Sequence, residues 1–142
     1  MNRGQLLIVS LLVSSSTLLA STDVLQVAGI VCYGEGNVVD SRRSAFEKQS
    51  ACNHPVPRVK VSVFGLNGQE YAAKTGDDGR FRIEGVQLAG GKDDRIRFLP
   101  PAGSGLSVPF EPSYVRDNRT YVHVEVPKSF CKLKDKNETS AP

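Results

Sequence analysis

Between residues 57 and 86 the hydrophobic positions recur at every second residue. Val59, Val61 and Val63 alternate with Lys60, Ser62 and Phe64, the period of a strand with one buried face. Phe81 and Ile83 alternate in the same way with Arg80, Arg82 and Glu84. Two turn segments separate these runs. In Leu66-Asn67-Gly68 the Asn and the Gly tolerate φ > 0, and Thr75-Gly76-Asp77-Asp78-Gly79 supplies the second turn. The stretch predicts a meander of three strands.

The rest of the chain reads mainly as further strands. Residues 24–33 are apolar and β-branched without a helical stripe, which predicts a strand too buried for clean alternation. Gly29 in its middle predicts a bulge or a close backbone approach. Residues 34–56 are less regular. Residues 41–49 suit about two turns of helix, so a loop with a short helix is expected, with Cys52 as a candidate anchor. This long insertion is the first place to look for specific function. Residues 95–99 alternate again. Residues 106–110 form a short strand, which Pro109 restricts to an edge or an end. Residues 120–126 alternate most clearly, with Val122, Val124 and Val126 on one face and Tyr121, His123 and Glu125 on the other. About seven short strands with no long helix predict an all-β sandwich, since a single sheet would leave one apolar face wet.

The first residues alter the domain boundaries. A basic start with Arg3, an apolar run over residues 6–13 and a small residue at Ala20 have the layout of a secretory signal peptide. The expected organisation is a signal peptide at 1–20, a sandwich domain at 21–131 and a mobile charged tail at 132–142. Cleavage would remove Arg3 and no acid, lowering the formal net charge of +3 by one. So small a charge gives no general attraction to nucleic acid. No later stretch is long enough to span a bilayer. Asn118-Arg119-Thr120 and Asn137-Glu138-Thr139 are glycosylation sequons, so Asn118 and Asn137 are candidate acceptors. Three cysteines, Cys32, Cys52 and Cys131, allow one disulfide and leave one thiol, or a bridge between chains.

The order of the pieces resembles a known pattern. Gly29-Ile30-Val31-Cys32, then Pro55-Val56-Pro57-Arg58-Val59-Lys60-Val61, then Thr75-Gly76-Asp77-Asp78-Gly79-Arg80-Phe81 are similar to segments of transthyretin-like secreted proteins and of the sandwich domain of carboxypeptidases. Val126-Pro127-Lys128-Ser129-Phe130 resembles a segment of the nematode transthyretin-like proteins. Pollen proteins of the Ole e 1 type share the earlier pieces and are the second family. The resemblance implies an immunoglobulin-like or prealbumin-like sandwich whose first and last strands are parallel neighbours. Through that neighbourhood it implies a Cys32–Cys131 disulfide with Cys52 free; Cys32–Cys52, closing the long loop, is the rival.

Catalytic chemistry finds little footing. Hydroxyisourate hydrolases of the transthyretin-like fold use several histidines and a C-terminal motif that residues 138–142 lack. His54 and His123 read as a loop and a strand histidine. Gly103-Ser104-Gly105 lacks the spacing of a nucleophile elbow. Asp77-Asp78 and Asp93-Asp94 fit turn chemistry better than a calcium loop. Neither a metal nor a cofactor is expected. Arg80, Arg82, Arg95 and Arg97 fall on exposed strand faces and would form an anion-binding surface if those strands were neighbours. The resemblance implies a secreted carrier, signalling or bridging protein that is not an enzyme. Its partner would be an extracellular protein, a lipid or a small hydrophobic ligand, with oligomers possible through edge strands or the odd cysteine. An extracellular-matrix or cell-wall component is the structural alternative, and a divergent hydroxyisourate-type hydrolase the catalytic one.

Overall fold

Strand β1 (Leu25–Tyr33) opens the fold and lies at the heart of one sheet. After it come β2 (Val38–Asp40), helix α1 (Arg43–Lys48), β3 (Lys60–Phe64), β4 (Glu70–Lys74) and β5 (Arg80–Val86). Then follow β6 (Arg95–Leu99), β7 (Leu106–Pro109) and β8 (Arg119–Val126), with short 3₁₀ turns at Leu66–Gly68 and Lys128–Cys131. The structure is a computed structural model and describes residues 24–49 and 52–131. The expected signal peptide, the tail and Asn137 lie outside those residues.

The strands form two four-stranded sheets, β2-β8-β1-β5 and β4-β3-β6-β7. The all-β sandwich is as expected, with eight strands among the described residues where about seven were read. The additional strand is β2, inside the segment expected to be loop. β1 and β8 run parallel in continuous register, from Gln26 opposite Arg119 to Tyr33 opposite Val126. A parallel pair cannot be joined by a hairpin, and the chain between β1 and β8 builds the whole second sheet as well as β2, α1 and β5.

The period of two sets the core. Val27, Val31, Phe81, Ile83, Val122, Val124 and Val126 of the first sheet pack against Val61, Val63, Ile96 and Phe98 of the second. Each such side chain contributes about 1.5–3 kcal/mol by leaving water. β1 lacks clean alternation because its other face is covered too. Ile30 and Cys32 pack with Tyr121 under Ala45 of α1. The helix carries an Arg43–Glu47 ion pair one turn apart at 2.8 Å, and ends at Gln49, whose φ is 39°.

The expected three-strand meander is not a single sheet. β3 and β4 form a hairpin, with Asn67 and Gly68 at φ 58° and 71°. β5 instead crosses to the first sheet and pairs with β1. Thr75 fixes the crossing. Its buried hydroxyl accepts the Val59 N–H at 2.9 Å and donates to the Val56 carbonyl at 2.8 Å. The turn residues were legible; that they lead between layers was not, because strand and turn signals do not say which sheet the next strand joins.

Candidate functional site

On one side the sandwich is shut by β4 beside β5. On the other, β2 and β7 are the last strands of their sheets and a cleft of about 530 Å³ opens between them. Its first wall runs through Asn37, Val38, Val39, Asp40, Ser41 and Arg42. Its second wall is Leu106, Val108 and Pro109, continued by Phe110, Glu111 and Ser113. The Ser113 N–H donates to the Ser41 hydroxyl at 3.1 Å and ties the walls together. A second cavity of about 490 Å³ shares Phe110, Glu111 and Ser113 and reaches Leu88 and Asp94. Both volumes are in the range of ligand sites.

β2 is placed by local chemistry. Val39 turns inward against the core, so by alternation Val38 and Asp40 turn outward. Val38 is 46% exposed and lines the cleft. Among the described residues β2 pairs with β8 alone, and β7 with β6 alone, so each strand keeps a second edge with backbone donors and acceptors turned away from its sheet. At the rim, Asp40 accepts from the Arg42 backbone N–H at 2.9 Å and from its guanidinium at 2.9 Å. The Arg42 guanidinium holds the Asp40 carboxyl below its ordinary range, with burial opposing. An apolar strip with charged and hydroxyl groups at its border can hold an amphipathic chain.

His123 stands opposite Asp40 across the β2–β8 pair and lies 3.2 Å from Glu125. A smaller cleft of about 310 Å³ beside it is lined by Asp40, Arg42, Ser44, Ala45, Lys48 and His123. His54 lies elsewhere, on the segment whose next residue, Pro55, bridges Cys32. The aspartate pairs serve turns. Asp78 accepts the Arg80 N–H, and buried Asp94 accepts from Ala89 and Gly90. Asn118 is exposed in a tight turn at φ 60°, while the hydroxyl of its sequon's Thr120 is buried on the Tyr114 carbonyl.

Two expectations are corrected. The disulfide joins Cys32 to Cys52, with Cα atoms 6.1 Å apart, and Cys131 is free. The parallel neighbours do bring the strand ends together, but alternation puts Cys32 on the wrong face for Cys131. Cys32 faces outward with Ala45 and Cys52, whereas Tyr33, one residue on, faces inward to where Cys131 packs. The thiol beside Tyr33, with burial, pushes that phenol up to about 12. The second correction concerns the arginines. Arg80 and Arg82 lie on β5 of the first sheet, Arg95 and Arg97 on β6 of the second. Because Phe81, Ile83, Ile96 and Phe98 point into the core, the two pairs face outward in opposite directions and form no common surface.

The cleft residues Val38, Leu106 and Val108 were not singled out from sequence. The only signal was Val38-Val39 following a Gly- and Asn-containing turn inside the long insertion. Compared with protein-family models, with curated proteins and with solved structures, the chain gives no match.

Proposed function

We propose that the protein is exported and acts outside the cell as a non-catalytic binding protein of the transthyretin-like type, taking an extended segment of an extracellular protein into the cleft between β2 and β7. The observation that carries this proposal is the meeting of two free strand edges across an apolar strip bearing exposed Val38. Free edges offer main-chain hydrogen bonds to an added strand, and the strip gives every second side chain a place to bury. A groove open along its length suits a chain better than a compact ligand. The signal-like residues 1–20 and the Cys32–Cys52 disulfide support an oxidising, extracellular setting. No helix among the described residues is long and apolar enough to cross a membrane.

The test places a photo-crosslinking residue at Val38 in the exported protein and captures adducts from the extracellular fluid of the native source. A discrete protein adduct, competed by unlabelled protein but not by its Val38→Asp variant, is expected. Adducts competed equally by both would remove the cleft from the function. Export is checked separately by N-terminal sequencing of protein from the medium, where a start at Ser21 or Thr22 is expected.

A further inference from the structure

The two outer faces of the sandwich differ in charge. On the first sheet, the outward strand cations Arg80, Arg82 and Arg119 are matched by the carboxylates of Asp40, Glu84 and Glu125. On the second sheet, four outward cations, Lys60, Lys74, Arg95 and Arg97, share one carboxylate, Glu70. Glu70 lies 3.4 Å from Lys60 and 4.0 Å from Arg97, and accepts from Ser62 at 2.7 Å. Among the described residues no carboxylate pairs with Lys74 or Arg95. Lys60 and Lys74 are direct cross-strand partners. Like charges opposite each other destabilise a sheet, and Glu70, shared with Arg97, offsets Lys60 of this pair but not Lys74.

The register turns the four into a line. Lys74 is opposite Lys60, Lys60 is opposite Leu99, and Arg97 and Arg95 precede Leu99 on the same face of β6. The line runs diagonally for roughly 17 Å, from strand spacing and rise. α1, which packs beside β8 on the first sheet, leaves this face uncovered. We infer that the outer face of the second sheet is a docking surface for a linear sulfated polysaccharide. A line of cations matches a linear polyanion. Among the described residues the exposed large apolar side chains, Val24, Val38 and Val115, all lie off this face, so it lacks the wedge a membrane surface would need. The one aromatic ring, Phe64, is covered by the Arg97 guanidinium 5.2 Å from its centre, which leaves no platform for nucleic-acid bases. The choice of polysaccharide rests on the proposed export. The binding test uses purified protein, so its failure is distinct from a failure to be secreted.

Binding of heparin to the purified chain, measured by calorimetry at several salt concentrations, tests the surface. Lys74→Gln with Arg95→Gln removes two cations of the line, exposed Lys74 and half-buried Arg95, whose guanidinium donates to the Ser107 hydroxyl and carbonyl. Arg82→Gln with Arg119→Gln removes the same charge from the opposite face. The first pair is expected to weaken heparin binding about tenfold and flatten its salt dependence, and the second to leave both within about twofold. Glu70→Gln is expected to strengthen binding. Equal loss in both pairs, or loss in neither, overturns the proposal. So does tighter binding to phosphatidylserine vesicles than to heparin with the same residue dependence, which would mark a membrane surface.

Discussion

Gly29 shows how one position couples the two neighbours of β1. A Cβ there would meet the Val122 carbonyl of β8 and stand 2.8 Å from the Phe81 ring of β5. The close approach expected from the sequence is real; the bulge lies nearby, where the β1–β5 register shifts between Leu25 and Val27. Gly29→Ala is expected to cost about 3 kcal/mol in urea unfolding, at the upper end of overpacking. Gly36→Ala, with open space around it, should stay within about 0.5 kcal/mol. Tyr33 supplies a second residue-scale prediction. Its pKa is raised above the ordinary phenol value, so the neutral form's stabilisation is intact below about pH 10 and is lost as pH rises through about 12. In an ultraviolet titration Tyr33 should ionise above the ordinary phenol range, and Cys131→Ala should bring it down.

Two connections hold the strands in their layers. The Thr75 hydroxyl serves one buried donor and one buried acceptor where the chain leaves β4 for β5. Thr75→Val keeps the shape and strands the Val59 N–H, for an expected loss of about 1–3 kcal/mol, whereas Thr75→Ser should retain most of the stability. A loss in Thr75→Ser with none in Thr75→Val would show that the methyl group, not the hydroxyl, matters. The Cys32–Cys52 bond ties β1 to the chain beyond α1, across 20 residues. Closing a loop of that length is worth about 3 kcal/mol, so Cys52→Ala should lower the unfolding free energy by that amount while Cys131→Ala changes it little. A non-reduced digest should yield a Cys32–Cys52 peptide. At this scale the sequence was legible unevenly. The strands from Lys60 to Val126 were readable because alternation and turn residues are local signals. β2 was missed because three residues are too few to display a period.

Across the whole molecule, stability should follow depth in the sheets. β1, β8, β3 and β6 each have a neighbour on both sides, whereas β2 and β7 each have one. Native-state hydrogen exchange should leave amides of the inner four strands protected to the global unfolding limit, with β2 and β7 exchanging first by local opening. Protection of β2 equal to that of β8 would mean that the cleft side is as rigid as the core, and would count against a groove that accepts an added strand. The same edges border the proposed binding cleft, so low local stability and the proposed function would share one side of the sandwich.

The sequence by itself determined the class of fold, the identity of the core valines and the chemistry of the turns. Successive Cβ atoms alternate across any strand, and Asn or Gly relieves the strain of positive φ wherever a turn demands it. Tertiary structure decided what depends on which strands become neighbours. It sent β5 to the other sheet and put two pairs of arginines on opposite faces. It left Cys32 facing away from Cys131, because a single residue of alternation separates the two sides of β1. It also set the edges of β2 and β7 across from each other, creating a cleft from residues nearly seventy positions apart, a relation that no local pattern carries.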